Sequence, residues 1–358
     1  MDYRYDRILL RYGRWALDGT RCEDVTTYLV LVKETCEGIA QDIARATALI
    51  ESASSFALWS PRLQKDDRAA GSHLFSITSQ NRRDLSLPQR RREYIMLARR
   101  KLPDQYATWN RAWGAPYGRR WPSAGTPLQK LDNFSAVQRI RGPFAFQDNS
   151  STRAYEFPWA YHQLTDLGPS RIVEIGGALS GLQFVLAKDG HEVHNVDPFF
   201  DYGSGNYDVD PVAEHASLNR AFGTNVILHK STLPEADLDG QFSAVICVST
   251  LEHLPPESIE ATLSTVKKLM APGGRVILTL DLFLNLAPFC DRTTNVWGSN
   301  SSVAWIEDLL GYEMIAGERA ELYGYEEFST DDILSRLDEF AFNVGYPQMA
   351  QLVTFRAS

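Results

Sequence analysis

The chain has 358 residues, a formal net charge of −9, and is 44% hydrophobic and 23% charged, the proportions of an ordinary globular protein. That length predicts two domains, or one with a large appendage, and the acidic balance argues against nucleic acid as the main partner. No run of about 18 apolar residues occurs, and the N-terminus MDYRYDRILLRYGRW is not a basic patch followed by an apolar stretch, so neither a membrane span nor a signal peptide is expected.

In chain order, residues 1 to about 60 are expected to be helical, because apolar residues recur at spacings of three and four without proline. Seven prolines between Pro61 and Pro143 break the pattern up to about residue 150, with one short helix expected at LPQRRREYIMLARRKL. YEFPWAYHQLTDLG reads as a helix ending at Gly168 with Pro158 in its first turn. Beyond it come apolar β-rich runs: RIVEIG, HEVHNVD, NVILHK, SAVICVS, RVILTLDL and, last, QLVTFRA. The helical stretches SGLQFVLAKDG, VAEHASLNRAFG, SIEATLSTVKKLMAPGG and SVAWIEDLLG separate most of them. This alternation predicts an α/β, Rossmann-like, doubly wound and mostly parallel sheet covered by helices on both faces.

Cys22, Cys36, Cys247 and Cys290 form no CxxC pair, which is against structural zinc; no metal ligands are assigned. The usage suits a reducing cytoplasm and makes Cys247, inside a strand-like run, a buried free thiol. Charge is uneven: Arg82 to Arg120 hold 11 basic and 3 acidic residues, a net of +8, and Glu307 to Glu339 hold 11 acidic and 2 basic, a net of −9. The two regions either face each other or are solvated faces.

The first of these strands ends in VEIGGALSG, Val173 to Gly181. A strand, a glycine-rich turn and a helix present backbone N–H groups to a ligand, and glycine allows close approach and positive φ. Alone, this turn is shared by many nucleotide-binding folds. Three features sharpen it. Asp197 ends the second strand, 23 residues after Glu174; FSAVICVSTLEHL puts a polar turn, Ser249 to His253, after the fourth; and VKKLMAPGGRVILTL is a helix, a Pro-Gly-Gly turn and a strand.

In order and spacing, E-x-G-G-x-x-S-G, Asp197, LEHL and L-x-P-G-G-x-x-x-L resemble class I S-adenosylmethionine-dependent methyltransferases. The resemblance covers residues 151–358 and implies a seven-stranded sheet there, with residues 1–150 as a helical and irregular cap. It implies S-adenosylmethionine as cofactor. Glu174 corresponds to the acid that tethers the methionine end, and Gly176, Gly177 and Gly181 to the turn beside it. Asp197 corresponds to the ribose ligand, Ser231 and Thr232 to adenine contacts, Ser249 to a residue beside the methionine moiety, and Arg153 to a partner of its carboxylate. Ala178 stands where many members have a second glycine; alanine suits that turn only with negative φ. Each assignment has a structural alternative: Glu174 as a strand-end ion pair, Ser231 or Thr232 as a helix cap.

Methyl transfer is an in-line displacement, so the protein mainly aligns the nucleophile and excludes water. An alcohol or ammonium acceptor must also lose a proton. His253 is the candidate base, at the edge where open α/β sheets bind ligands and with a ring nitrogen able to accept a proton; capping a helix is its alternative. Glu252 is a candidate to orient it. Asp281 would anchor a cationic substrate or help hold a metal. Asn285, opening a mixed aromatic and polar loop, is a candidate substrate contact. Trp109, Trp113, Tyr117 and Trp121 are candidates for a lid, or for anchoring an irregular appendage.

The C-terminal pattern also resembles bacterial natural-product methyltransferases. Within them the expectation is N-methylation of a small cationic substrate, an amino sugar of the aminoglycoside type, since an acidic protein attracts a polycation. The competing reading is O-methylation of a sugar or polyketide hydroxyl, favoured by a carboxylate cluster around Asp281 or a need for Mg²⁺. An RNA or protein methyltransferase using Arg82 to Trp121, and a nicotinamide-dependent oxidoreductase, are further rivals. No NPPY-like tetrapeptide follows the fourth strand, which counts against base methylation.

Overall fold

Within the strands, successive apolar residues go to opposite faces and build two separate cores. A computed structural model describes residues 97–120, 134–199 and 210–358. Its strands are β1 (Arg171–Ile175), β2 (Glu192–Val196), β3 (Ile227–His229), β4 (Phe242–Val248), β5 (Met270–Phe283), β6 (Glu313–Ala316) and β7 (Gln348–Arg356). They form one sheet in the order β3-β2-β1-β4-β5-β7-β6. β1 to β5 are parallel to one another, and β7 runs antiparallel between β5 and β6. Ile172, Ala244 and Ile246 enter one core, while Val173, Val245 and Cys247 enter the other, the period of two that a pleated strand dictates.

The first core is covered by α1 (Asp104–Trp113), α3 (Arg153–His162), α4 (Gly181–Lys188) and α5 (Pro211–Phe222), and the second by α6 (Pro256–Leu269) and α7 (Val303–Leu310). Two shorter helices are α2 (Phe134–Arg141) and α8 (Thr330–Ser335). β1 lies between β2 and β4, so the chain changes direction across the sheet there. The crevice outside the carboxyl ends of these strands is where doubly wound sheets take ligands.

The alternating α/β reading agrees with this architecture, with four differences. The described end of LPQRRREYIMLARRKL is extended, because Leu97 and Arg99 bridge to Gln351 and Phe340. α3 runs from Arg153 to His162, so it stops short of the expected end at Gly168 and Pro158 stands inside it rather than in its first turn. A proline there leaves the carbonyl four residues back, that of Ala154, without its helical donor, and the Asn110 side chain donates to it at 2.7 Å. Pro272-Gly273-Gly274 is not a separate turn: Met270 pairs with Phe242 and Arg275 with Ala244, so it bulges within β5. β6 was not foreseen as a run of its own.

The expected N-terminal helix and Trp121 lie outside the described residues. Cys247 is buried and free, and burial pushes its thiol up to about 12. The basic and acidic runs meet directly: Arg99 pairs with Glu321 at 2.6 Å and with Glu339 at 3.3 Å. Trp109 is a core residue against Phe144 and Tyr161, Trp113 packs partly buried on the same core, and Tyr117 is exposed. Among the described residues, no helix is long and apolar enough to cross a membrane.

Candidate active site

The glycine turn after β1 is held from β2. Asp197 accepts from the Ala178 N–H at 2.9 Å and from the Phe199 N–H at 2.6 Å. Asn195 and Gln183 donate to the Ala178 carbonyl at 2.8 and 3.2 Å. These bonds hold Ala178 at φ 42, which corrects the expectation that alanine requires negative φ here. Among the described residues, non-glycine positive φ occurs at Ala178, Phe199 and Ser249, and all three sit just beyond the carboxyl ends of β1, β2 and β4. Such backbone costs on the order of 1–3 kcal/mol each and is concentrated where a fold shapes a site.

The turn glycines have different reasons. Gly176 has φ +67, and a Cβ on it would meet the Thr250 side chain at 2.3 Å; a Cβ on Gly177 would meet Asn195 Oδ1 at 2.6 Å and Glu174 Cδ at 2.9 Å. A Cβ on Gly181 would meet the Phe144 ring at 2.6 Å, so that glycine is required by packing of α4.

Beside this turn lies a cavity of about 70 Å³ lined by Glu174, Gly176, Gly177, Gln147, Arg153 and Ser249, among others. Glu174 is fully buried, and burial pushes its carboxyl from the ordinary 4.5 up to about 8, with Asp197 adding to the rise against a Ser180 hydrogen bond. Glu174 Oε2, Asn195 Oδ1 and Gln147 Oε1 are buried and have no hydrogen-bond partner in the protein. Buried acceptors in native structures are nearly always satisfied, so orphans beside a glycine turn fit a ligand that brings donors, such as the ammonium end of S-adenosylmethionine. Asn195, Gln147 and Thr250 were not singled out from the sequence. The register Glu174↔Asn195 across β1 and β2 was the missing information, and a polar residue in HEVHNVD was the available signal.

At the ends of β4 and β5 lies a buried ionic cluster. Arg153 pairs with Glu156 at 2.6 Å and donates to Ser249 Oγ at 2.8 Å. Glu156 also accepts from Ser249 at 2.8 Å and from Thr279 at 2.5 Å. Burial raises the Glu156 carboxyl, but Arg153 and these hydroxyls outweigh it and the net shift is downward. The Ser249 hydroxyl is thus committed within the protein. Asp281 Oδ1 is 3.7 Å from Arg153, and Glu252 accepts from the Asp281 N–H at 2.7 Å. Burial, then the mutual repulsion of their charges, holds Glu252 well above the carboxylate range; burial also raises Asp281 although Arg153 opposes it. Glu156 was not foreseen; an acid three residues from Arg153 in an aromatic helix was its signal.

His253 is exposed, in a 3-10 turn over Leu251–His253, and its Nδ1 meets the Trp297 carbonyl. His253, Glu252 and Asp281 each place a possible ligand atom within 4.8 Å of the others. The remaining sequence candidates lie elsewhere. Thr232 donates to Glu235 at 2.7 Å and opens the 3-10 turn Leu233–Glu235, the capping role; Ser231 beside it is half-buried. Asn285 donates to the Tyr346 hydroxyl at 3.1 Å while its Oδ1 is buried and unpartnered.

Residues 146–328, 183 of the 358, match the model of the methyltransferase-domain family. The chain belongs to that family. The methyltransferase has the seven-stranded Rossmann-like sheet of class I enzymes, and S-adenosylmethionine is its cofactor. No curated protein matches the methyltransferase significantly in sequence. Among solved structures it is similar to TehB from Haemophilus influenzae, with 10% identity and a TM-score of 0.40 over 56% of this chain and 61% of that one; it thus spans less than two thirds of TehB. It is similar to 1,6-didemethyltoxoflavin-N1-methyltransferase from Burkholderia thailandensis, with 17% identity and a TM-score of 0.40 over 56% and 77%. It is also similar to the N-methyltransferase NodS from Bradyrhizobium japonicum WM9, with 16% identity and a TM-score of 0.37 over 66% and 93%.

Proposed function

We propose that the methyltransferase N-methylates a small polar amine in the cytoplasm, an amino sugar of the aminoglycoside type. The observation that carries this reading is the charge balance at the acceptor edge. Glu156, Glu252 and Asp281 are buried there with one guanidinium, Arg153; three acids to one base favour a cationic ligand, whose arrival would draw the raised Glu252 and Asp281 into their charged forms.

S-adenosylmethionine, when bound, supplies a methyl carbon already activated by its sulfonium. Glu174 and Asn195 would hold its ammonium end through their unpartnered oxygens, with Gly176 and Gly177 beside it and Arg153 facing its carboxylate. Asp197 would take the ribose, its orientation already set by Ala178 and Phe199, and Ser231 and Thr232 would border the adenine. Asp281 and Glu252 would receive the acceptor ammonium, with Asn285 and Trp113 as outer contacts. His253, with Nδ1 against the Trp297 carbonyl, has Nε2 to accept the proton the amine must lose. Gln147 lines the cavity from the segment preceding α3, which supports reading the described part of residues 1–150 as a cap.

Purified protein and labelled S-adenosylmethionine, offered amino sugars and their hydroxyl analogues, test the reading. Methyl transfer to nitrogen is expected, and His253→Ala should lower turnover by about 10²–10³ with cofactor affinity unchanged. Amino sugars left unmethylated while hydroxyl analogues react would sink it. That outcome is the second reading, O-methylation assisted by a metal, which the Glu252, His253 and Asp281 trio favours.

A further inference from the structure

We propose that Glu252, His253 and Asp281 form a binding site for one divalent transition-metal ion of the Mn²⁺ or Zn²⁺ class. The donor set is the first argument. Two carboxylates and an imidazole suit such an ion better than Mg²⁺ or Ca²⁺, which prefer oxygen alone. The ligand atoms lie within 4.8 Å of one another. Donors bonded at about 2.1 Å to one ion stand at most about 4.2 Å apart, so small side-chain rotations close the set.

Orphaned oxygens are an independent argument. Glu252 Oε2 and Asp281 Oδ1 are buried and unpartnered by any hydrogen-bond donor, in residues only 0% and 3% exposed. Buried carboxyl oxygens without a donor are costly to the fold unless a cation or a proton meets them. Arg153 is taken by Glu156 at 2.6 Å and stands 3.7 Å from Asp281, so its one guanidinium is divided between two of the three acids.

The histidine is arranged as a ligand. Its Nδ1 donates to the Trp297 carbonyl, which leaves the lone pair on Nε2; metal-ligating histidines are fixed in this way, by the second ring N–H donating to a backbone carbonyl or carboxylate. The loop that supplies Trp297 is held against the trio, since the Ser299 N–H donates to the Glu252 carbonyl at 3.1 Å, and a Cβ on Gly298 would meet that carbonyl at 2.0 Å. His253 is exposed, so an ion held there keeps open positions for water or an acceptor oxygen. This site rests on the second reading of the function, O-methylation: the ion would occupy the carboxylates that the first reading gives to an ammonium, and His253, holding the ion, would take no proton.

The test is a titration of Mn²⁺ into the full-length protein without cofactor or substrate, with free ion read by electron paramagnetic resonance. One ion per chain, displaced by Zn²⁺, is expected. Asp281→Asn and His253→Ala should each weaken binding about tenfold to a hundredfold, while Asp239→Asn, at an exposed carboxylate outside the trio, leaves it unchanged. Thermal melting of each variant shows that it is folded; His253, being exposed, can be removed without opening the core. Absence of saturable Mn²⁺ binding, or equal binding by both folded variants, overturns the site. Because the readout is binding, failure to methylate any alcohol counts against the hydroxyl reading and not against the ion.

Discussion

Glu174 on β1 and Asn195 on β2 are register partners, and each has a buried oxygen that no protein donor reaches. Two adjacent parallel strands thus present paired acceptors at their carboxyl ends, beside the positive-φ Gly176. Strand register alone brings the two side chains to one place, where a cofactor ammonium would meet both acceptors.

Glu174 should make cofactor affinity depend on pH. Its carboxyl, at about 8 in the folded protein against an ordinary 4.5, is protonated at neutral pH. With a raised folded value, its contribution to stability is fully present below about 4.5 and is lost as pH rises through about 8. A cofactor ammonium needs the carboxylate, so binding expels a proton and affinity should climb with pH up to about 8. Calorimetry in buffers of differing ionisation enthalpy measures that proton. Glu174→Gln should bind more weakly and with no proton release; the same release in the variant would remove Glu174 from the contact.

Asp197→Ala should lose both stability and cofactor affinity. The Ala178 and Phe199 amides lose their acceptor, at a cost of about 1–3 kcal/mol each where they stay buried, and the left-handed Ala178 loses its anchor. Asp197→Asn helps to separate the two effects: the amides bond different oxygens of the carboxylate, so its one carbonyl oxygen keeps one of the two bonds and only part of the stability returns. Thermal melts and calorimetry on both variants decide: stability regained without affinity supports ribose binding, whereas joint recovery means that Asp197 acts only through the turn.

The sheet and its order of strands and helices were legible because buried parallel strands are continuous apolar runs, and VEIGGALSG and LEHL follow two of them directly. What was hidden depends on register and on long-range partners. Glu156 reaches Ser249 and Thr279 across 93 and 123 residues, and no local pattern records that. Pro158 was misplaced for a similar reason: a helix-interior proline is tolerated because Asn110, 44 residues earlier, satisfies the stranded carbonyl. β6, four residues with none fully buried, has too weak a period to stand out.

Gly181→Ala should destabilise the protein by about 1–3 kcal/mol and leave cofactor affinity unchanged. The added methyl would meet the Phe144 ring at 2.6 Å, in the first core. Phe144→Leu in the same chain should recover part of the loss, because the smaller side chain makes room. Chemical denaturation with parallel cofactor titration checks this; weakened affinity at full stability would return Gly181 to the cofactor turn.

The Asn110–Ala154 bond predicts a coupling between two residues that serve the same carbonyl. Asn110→Ala leaves the Ala154 carbonyl with neither a helical nor a side-chain donor, a loss of about 1–2 kcal/mol. Pro158→Ala restores an N–H four residues after Ala154 and so supplies the donor from within α3. In the Pro158→Ala background, Asn110→Ala should therefore cost distinctly less. A double-mutant cycle in urea measures the difference: a coupling of about 1 kcal/mol is expected, and strictly additive losses would mean that Asn110 contributes through packing alone.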